Sequence, residues 1–199
     1  MKYFTVNICL KPLKPWRKLT FCLAVFFNLS FTPAYSDQRS PELDKLFSEL
    51  RSVQSQKEGE KISSKIWQIW TTHYSDAELS EQMKMGIELM QSGRLSAANA
   101  VFTHVINQDN EFAEAWNKRA TVLFFMGEFE KAKIAIAKTL ILEKNHFGAL
   151  AGLGMVEIHL GNPTAALNAY KRAASINPHL NDVKKAILML EEQLKGFPT

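Results

Sequence analysis

Apolar residues recur at three- and four-residue spacing along most of the chain, which predicts a succession of short amphipathic helices. Leu43, Leu46, Phe47 and Leu50 make one such stripe, and Ser40-Pro41-Glu42 before it is a helix start. The polar stretch Gln54 to Glu60 reads as a linker. Ile62, Ile66, Ile69 and Trp70, with Trp67 beside them, predict a second amphipathic helix. Ser75 and Glu78 have capping-box spacing and open the next one. Near the other end Val183, Ile187, Leu190 and Leu194 share a face, Lys184, Lys185, Glu191 and Glu192 lie elsewhere, and Gly196 and Pro198 stop the helix.

The middle of the chain repeats itself. Gly93, Gly127 and Gly161 are spaced by 34 residues, and so are Ala98, Ala132 and Ala166. Units beginning at Leu79, Ala113 and Phe147 are contiguous, each an apolar helix, a glycine turn and a second helix carrying the alanine. The glycines suit positive φ at the end of a first helix. Gly86, Ala120 and Gly154, with the periodic alanines, let paired helices approach closely, and Phe102, Trp116 and Tyr170 fill the space beside them. All of these are expected to be packing residues rather than a site. Arg119 and Glu157 occupy normally apolar positions on the first helices of adjacent units; they are expected either to pair across the interface or to reach solvent.

This pattern resembles the tetratricopeptide repeat, a 34-residue helix-turn-helix with preferred residues at fixed positions. The second unit supplies Trp116, Arg119, Ala120, Leu123, Ala132, Ile136, Thr139 and Lys144 there, and the third Leu150, Leu153, Gly154, Glu157, Ala166, Tyr170, Ala173 and Pro178. The resemblance implies an all-α fold, a right-handed superhelical array of antiparallel helix pairs. It divides the chain into 37–78 as an N-terminal helical cap or degenerate repeat, units at 79–112, 113–146 and 147–180, and a solvating C-terminal helix at 181–199. The Trp67 and Trp70 segment together with Ala115-Trp116-Asn117-Lys118-Arg119-Ala120 is similar to small exported bacterial members of the family.

Charge adds a compartment to this picture. The first 36 residues hold Lys2, Lys11, Lys14, Arg17 and Lys18 and no acid, leaving 19 basic against 20 acidic residues in the remainder. A basic stretch, the apolar run Leu19 to Phe31 and the small residues Ala34 and Ser36 before Asp37 have the layout of a signal peptide over 1–36. The expected product is exported, to the periplasm, with secretion or an uncleaved N-terminal anchor as alternatives. Membrane contact is expected only through the leader. Cys9 and Cys22 both lie in it, so cleavage would remove every thiol. A remainder near neutrality argues against nucleic acid as a partner.

The resemblance implies that first helices line a concave groove. The residues projecting into it are Met83, Lys84, Ile87 and Met90 from the first unit, Asn117, Lys118, Thr121 and Phe124 from the second, and Met155, Ile158 and His159 from the third. Methionine and phenylalanine among them suit an extended peptide or an amphipathic helix. A subgroup of the family grips chaperone tails with Lys, Asn and Arg; Met83, Ile87, Lys118, Gly148 and Gly152 stand at those positions, so that clamp is missing. The five histidines show no metal-ligand spacing, and no nucleophile motif or phosphate loop accompanies them. The expectation is therefore a non-enzymatic module for a protein or peptide partner, with no cofactor or metal and its oligomeric state open. The alternative is a structural scaffold or self-associating subunit of an envelope complex.

Overall fold

The computed structural model describes residues 37–73 and 75–196. The leader expected over 1–36 lies outside the described residues, as does Pro198. Among the described residues stand nine helices and no strand: α1 Glu42–Ser52, α2 Gln56–Thr71, α3 Ala77–Gln91, α4 Leu95–Gln108, α5 Ala113–Phe125, α6 Phe129–Leu142, α7 Phe147–His159, α8 Pro163–Ile176 and α9 Asn181–Lys195. Helices α3 to α9 pack in chain order, each chiefly on its predecessor and its successor. This is an all-α array of helix pairs, α3/α4, α5/α6 and α7/α8, closed by α9.

Each pair turns on a glycine in the left-handed region, Gly93 at φ 74°, Gly127 at 78° and Gly161 at 77°. The next residue's N–H returns to the carbonyl five residues back, Arg94 to Leu89 at 2.9 Å, Glu128 to Leu123 at 2.9 Å and Asn162 to Glu157 at 2.8 Å. Carbonyls orphaned by the helix end are thereby satisfied, in a conformation that a side chain would strain. Close packing within a pair has a similarly local cause. A Cβ on Gly86 would stand 2.5 Å from the Phe102 ring, and one on Gly154 would collide with Tyr170. Ala98, Ala132 and Ala166 are fully buried at the same crossings.

Several details depart from the sequence reading. Asp76, not Ser75, caps α3, accepting from the N–H groups of Glu78 and Leu79 at 2.9 and 3.1 Å. Gln56 to Glu60 is not linker but the first turns of α2, capped by Ser55, whose hydroxyl accepts from Glu58 N–H at 3.4 Å. Its polar residues mislead because only Gly59 of that stretch is fully buried. Arg119 and Glu157 do not pair with each other. Arg119 donates to Asn99 at 3.3 Å and lies by the Trp116 ring, while Glu157 meets Lys133 at 2.7 Å. Asn99 and Lys133 are 34 residues apart, so each charge finds the same position on the second helix of the preceding unit. α9 is less of a solvating cap than expected, since Leu188 and Met189 are 66% and 71% exposed.

The largest departure concerns α1 and α2. They are neither a degenerate repeat nor a cap stacked on α3 and α4; their principal contacts with the array are to α5, to the start of α7 and to α8. Leu43, Leu46, Phe47 and Leu50 of α1 and Ile66 and Trp70 of α2 are buried with Phe147, flanked by Ile176 and Leu180. The hairpin spends its apolar faces on the loops between units, where Phe147 and Leu180 project.

Because Ala166 sits at a crossing with no free volume, Ala166→Trp is expected to destabilise the array by about 1–3 kcal/mol. A urea titration followed by far-UV circular dichroism reads this as an earlier midpoint; an unchanged midpoint would contradict the helix register described here.

Candidate functional site

The three loops between units carry equivalent side chains. Asp109, Glu143 and Asn177 recur at 34-residue spacing, and each accepts the backbone N–H two residues on, from Glu111 at 2.9 Å, Asn145 at 2.7 Å and His179 at 3.0 Å. These local bonds stiffen the loops and aim the side chains at α2 and at His73, just beyond its end. Asp109 accepts from His73 Nε2 at 2.9 Å, Asn177 donates to the Ser63 hydroxyl at 3.0 Å, and Trp70 lies between them beside Glu143 and His146. Gln56 extends the row by donating to the His179 carbonyl at 2.9 Å. The helix thus runs along the array from the last junction to the first, a strap of about 24 Å at 1.5 Å per residue.

Two glycines let the strap approach. Gly59 lies against the His179 ring, where any side chain would collide, and a Cβ on Gly148 of α7 would stand 2.5 Å from the Trp67 indole. Trp67 therefore occupies a notch on the inner face of the array. The Lys118 ammonium lies 4.9 Å from its ring, a cation–π contact from α5.

Beside that notch sits a buried polar network. His146, fully buried, stacks on Trp70 at 3.9 Å between centroids and meets Trp67 edge-on. Its Nδ1 accepts the Ala149 N–H at 3.1 Å at the start of α7, which puts the ring proton on Nε2, 2.8 Å from the Glu114 carboxylate. Glu114 also accepts from Asn117 at 2.9 Å and pairs with Lys118 at 3.0 Å. Burial alone would raise the Glu114 carboxyl; Lys118 and the His146 bond outweigh it and hold the group below the usual carboxylate range. Glu143 is the opposite case. Burial pushes its carboxyl up, and the Asn145 N–H, His146 and Trp70 only partly offset that.

Past the strap the inner face is open. A cavity of about 130 Å³ lies between α5 and α7, walled by Asn117, Ala120, Thr121, Phe124 and Phe125 on one side and by Gly148, Gly152, Met155 and Val156 on the other, with Ile136 at its base. Of the expected groove residues, Asn117, Thr121, Phe124 and Met155 meet here. Asn117 is nearly buried by its bond to Glu114, and Lys118 is turned toward the strap. Ile158 is exposed further along α7, and His159 stacks on Phe129 with Phe124 edge-on. Ile87 and Met90 are half-buried against the first unit's core, and Lys84 is exposed beside Glu81. Met83 corrects the reading: it is fully buried with Leu79 and Phe102, because its face of α3 packs on α4. Gly148 and Gly152 shape the cavity by lacking side chains, and their spacing of four on one face was the available signal.

One cluster has metal-ligand character. Asp37, His73 and Asp109 bring ligand atoms within 4.8 Å of one another. Arg39, however, bonds Asp37 and reaches Asp109 at 3.4 Å and Glu111 at 3.5 Å. Its guanidinium supplies the positive charge the carboxylates need, and the group is an ion-pair clasp tying residues 37–39 to the first junction.

The profile of the tetratricopeptide repeat matches residues 147–180, the third unit. A TPR repeat-containing protein of Rhizobium etli is 30% identical over 164 residues, 82% of this chain and 80% of its own. The chain belongs to the tetratricopeptide repeat family. Among solved structures, the first tetratricopeptide domain of Spaghetti, bound to an HSP90 peptide, superposes with a TM-score of 0.57 at 16% identity, covering 59% of this chain and 94% of that one. The Yersinia enterocolitica type III secretion chaperone SycD, in complex with a peptide of the translocator YopD, gives 0.56 at 13% identity, with 61% and 98% covered. Tetratricopeptide arrays therefore share the fold of about three-fifths of this chain.

The raised Glu143 carboxyl has a signed consequence. Its ionised form is disfavoured in the folded chain, so stability falls as pH rises from the unfolded carboxyl value through the folded one. Glu143→Gln keeps the Asn145 bond without the buried charge. Its melting temperature is expected to exceed the wild type's at neutral pH, with the gap closing below about pH 4; a lower value at neutral pH would contradict the assignment.

Proposed function

We propose that this tetratricopeptide protein is a non-enzymatic interaction module that takes a peptide or protein segment into the open half of its concave face. The observation carrying the proposal is the apolar cavity between α5 and α7, where Phe125 is 60% and Met155 44% exposed beside Phe124. Exposed apolar side chains gathered around a concavity are what a partner covers. The adaptable methionine and the aromatic edge suit a side-chain anchor from an extended segment or an amphipathic helix. Structural neighbours holding peptides support the reading by fold. Their ligands are not carried over, because Met83, Ile87, Lys118, Gly148 and Gly152 stand where the chaperone-tail clamp would be.

The compartment of this activity is the cell envelope. The supporting feature is the order of basic stretch, apolar run and small residues ending at Ser36. Protein recovered from that compartment is expected to have a mass beginning at or near Asp37, without Cys9 or Cys22.

Phe125→Ser and Met155→Ser are exposed changes, expected to move stability by no more than about 0.5 kcal/mol. A partner crosslinked and recovered from the native compartment, then titrated by calorimetry, is expected to bind each variant about tenfold to a hundredfold more weakly, the worth of one buried apolar anchor. Unchanged affinity in both variants would move the binding surface away from this cavity.

A further inference from the structure

The open cavity and the seat of the strap form one surface. Gly148 carries Trp67 on one side and walls the cavity on the other. Asn117 walls the cavity and bonds the same Glu114 that anchors Lys118 over the Trp67 ring. The amino-terminal turns of α5 and α7 are thus already occupied by a helix of this chain, and their carboxy-terminal turns are free. In effect α2 is a ligand that the array carries with it: an amphipathic helix presenting one large aromatic ring to a glycine notch and one to a histidine.

The hairpin shares a buried core with Phe147, yet of the described helices it has the fewest contacts with the rest of the array. Within the array each helix is packed along its length by its chain neighbours, whereas α2 meets the array at the junctions: through Ser63 on Asn177, through Trp67 and Trp70 on Gly148, His146 and Phe147, and, just past its end, through His73 on Asp109. Short connections, 53–55 and 72–76, join it to α1 and α3. Elements with few contacts to the rest open at lower free energy than the global transition.

We propose that α2 is a displaceable in-chain ligand of the concave face, and that a partner helix carrying a large aromatic anchor gains the full surface by taking the place of Trp67. This rests on the reading of the open cavity as a partner site and extends it. The strap, tethered beside its seat at an effective concentration on the order of millimolar, sets a threshold: weak helices are excluded, and only a partner that outcompetes α2 bridges the notch and the cavity. The chemistry of that partner follows from the occupant it replaces. It is an amphipathic helix with an indole or phenyl group facing Lys118 and Gly148, and an apolar side chain on the adjoining face directed toward Phe124 and Met155.

The test uses the chain with its strap in place and a labelled synthetic peptide of residues 54–73 as the probe. Trp67→Ala weakens the internal occupant, and the peptide is expected to bind this variant about tenfold or more tighter than the wild type. Adding Gly148→Leu fills the notch and is expected to abolish that gain, whereas Phe124→Ser leaves it intact and so separates this proposal from the cavity reading. Native-state hydrogen exchange on the wild type is an independent arm: amides of α1 and α2 are expected to exchange together, ahead of those in α5 to α8. Equal peptide binding to wild type and Trp67→Ala overturns the proposal. So does protection of α2 as lasting as that of α5 to α8, which decides the matter even where the variant fails to fold.

Discussion

A carboxylate with no exposure to water must be surrounded by donors, and the inner architecture of this chain is arranged around one. Glu114 Oε2 accepts from Asn117 on the same helix and from His146 of the next junction, and the Lys118 ammonium stands 3.0 Å from Glu114 Oε1 as an ion pair. Holding His146 to that task fixes its tautomer, because its other nitrogen accepts the first turn of α7. The ring then offers one face to Trp70, and Trp70 brings α2. Removing one member of such a network leaves a buried charge uncompensated, so α5, the 143–146 junction, α7 and the strap depend on each other.

The strap covers the amino-terminal turns of α5 and α7 and leaves the cavity beyond them open. At the amino-terminal turns of the inner helices, apolar and polar surface is consumed internally by Trp67, Trp70, Ser63 and His73. At the carboxy-terminal turns, Phe124, Phe125, Met155 and Ile158 have no such cover from α2.

The array itself was legible because each of its causes is local. Gly93, Gly127 and Gly161 mark turns that require positive φ, and Gly86 and Gly154 mark crossings against a specific ring, so both signals repeat with the chain. The strap was not legible, since its partners lie 36 to 123 residues away and its side chains match any amphipathic helix facing a core. Residues 37–78 read as an N-terminal cap or degenerate repeat because an amphipathic pattern describes spacing, not which surface receives the face. Met83 failed for a related reason. Its position projects inward in the general pattern, but in the first unit that side of α3 is closed by Leu79, Phe102 and Phe112. Asp109, Glu143 and Asn177 did carry a visible 34-residue signal, hidden by their differing chemistry although all three hold the same turn.

α2 lies against the junctions of its own array rather than on the end of the stack. Ser63 and Asn177, 3.0 Å apart between Oγ and Nδ2, report this directly. In a chain whose Cys9 and Cys22 are replaced by serine, Ser63→Cys and Asn177→Cys place two thiols at that contact. A short bis-thiol reagent is predicted to join them within one chain, in dilute solution and without loss of helicity. Free thiols after treatment, or links formed only between two chains, would contradict the strap and return α1 and α2 to the end of the stack.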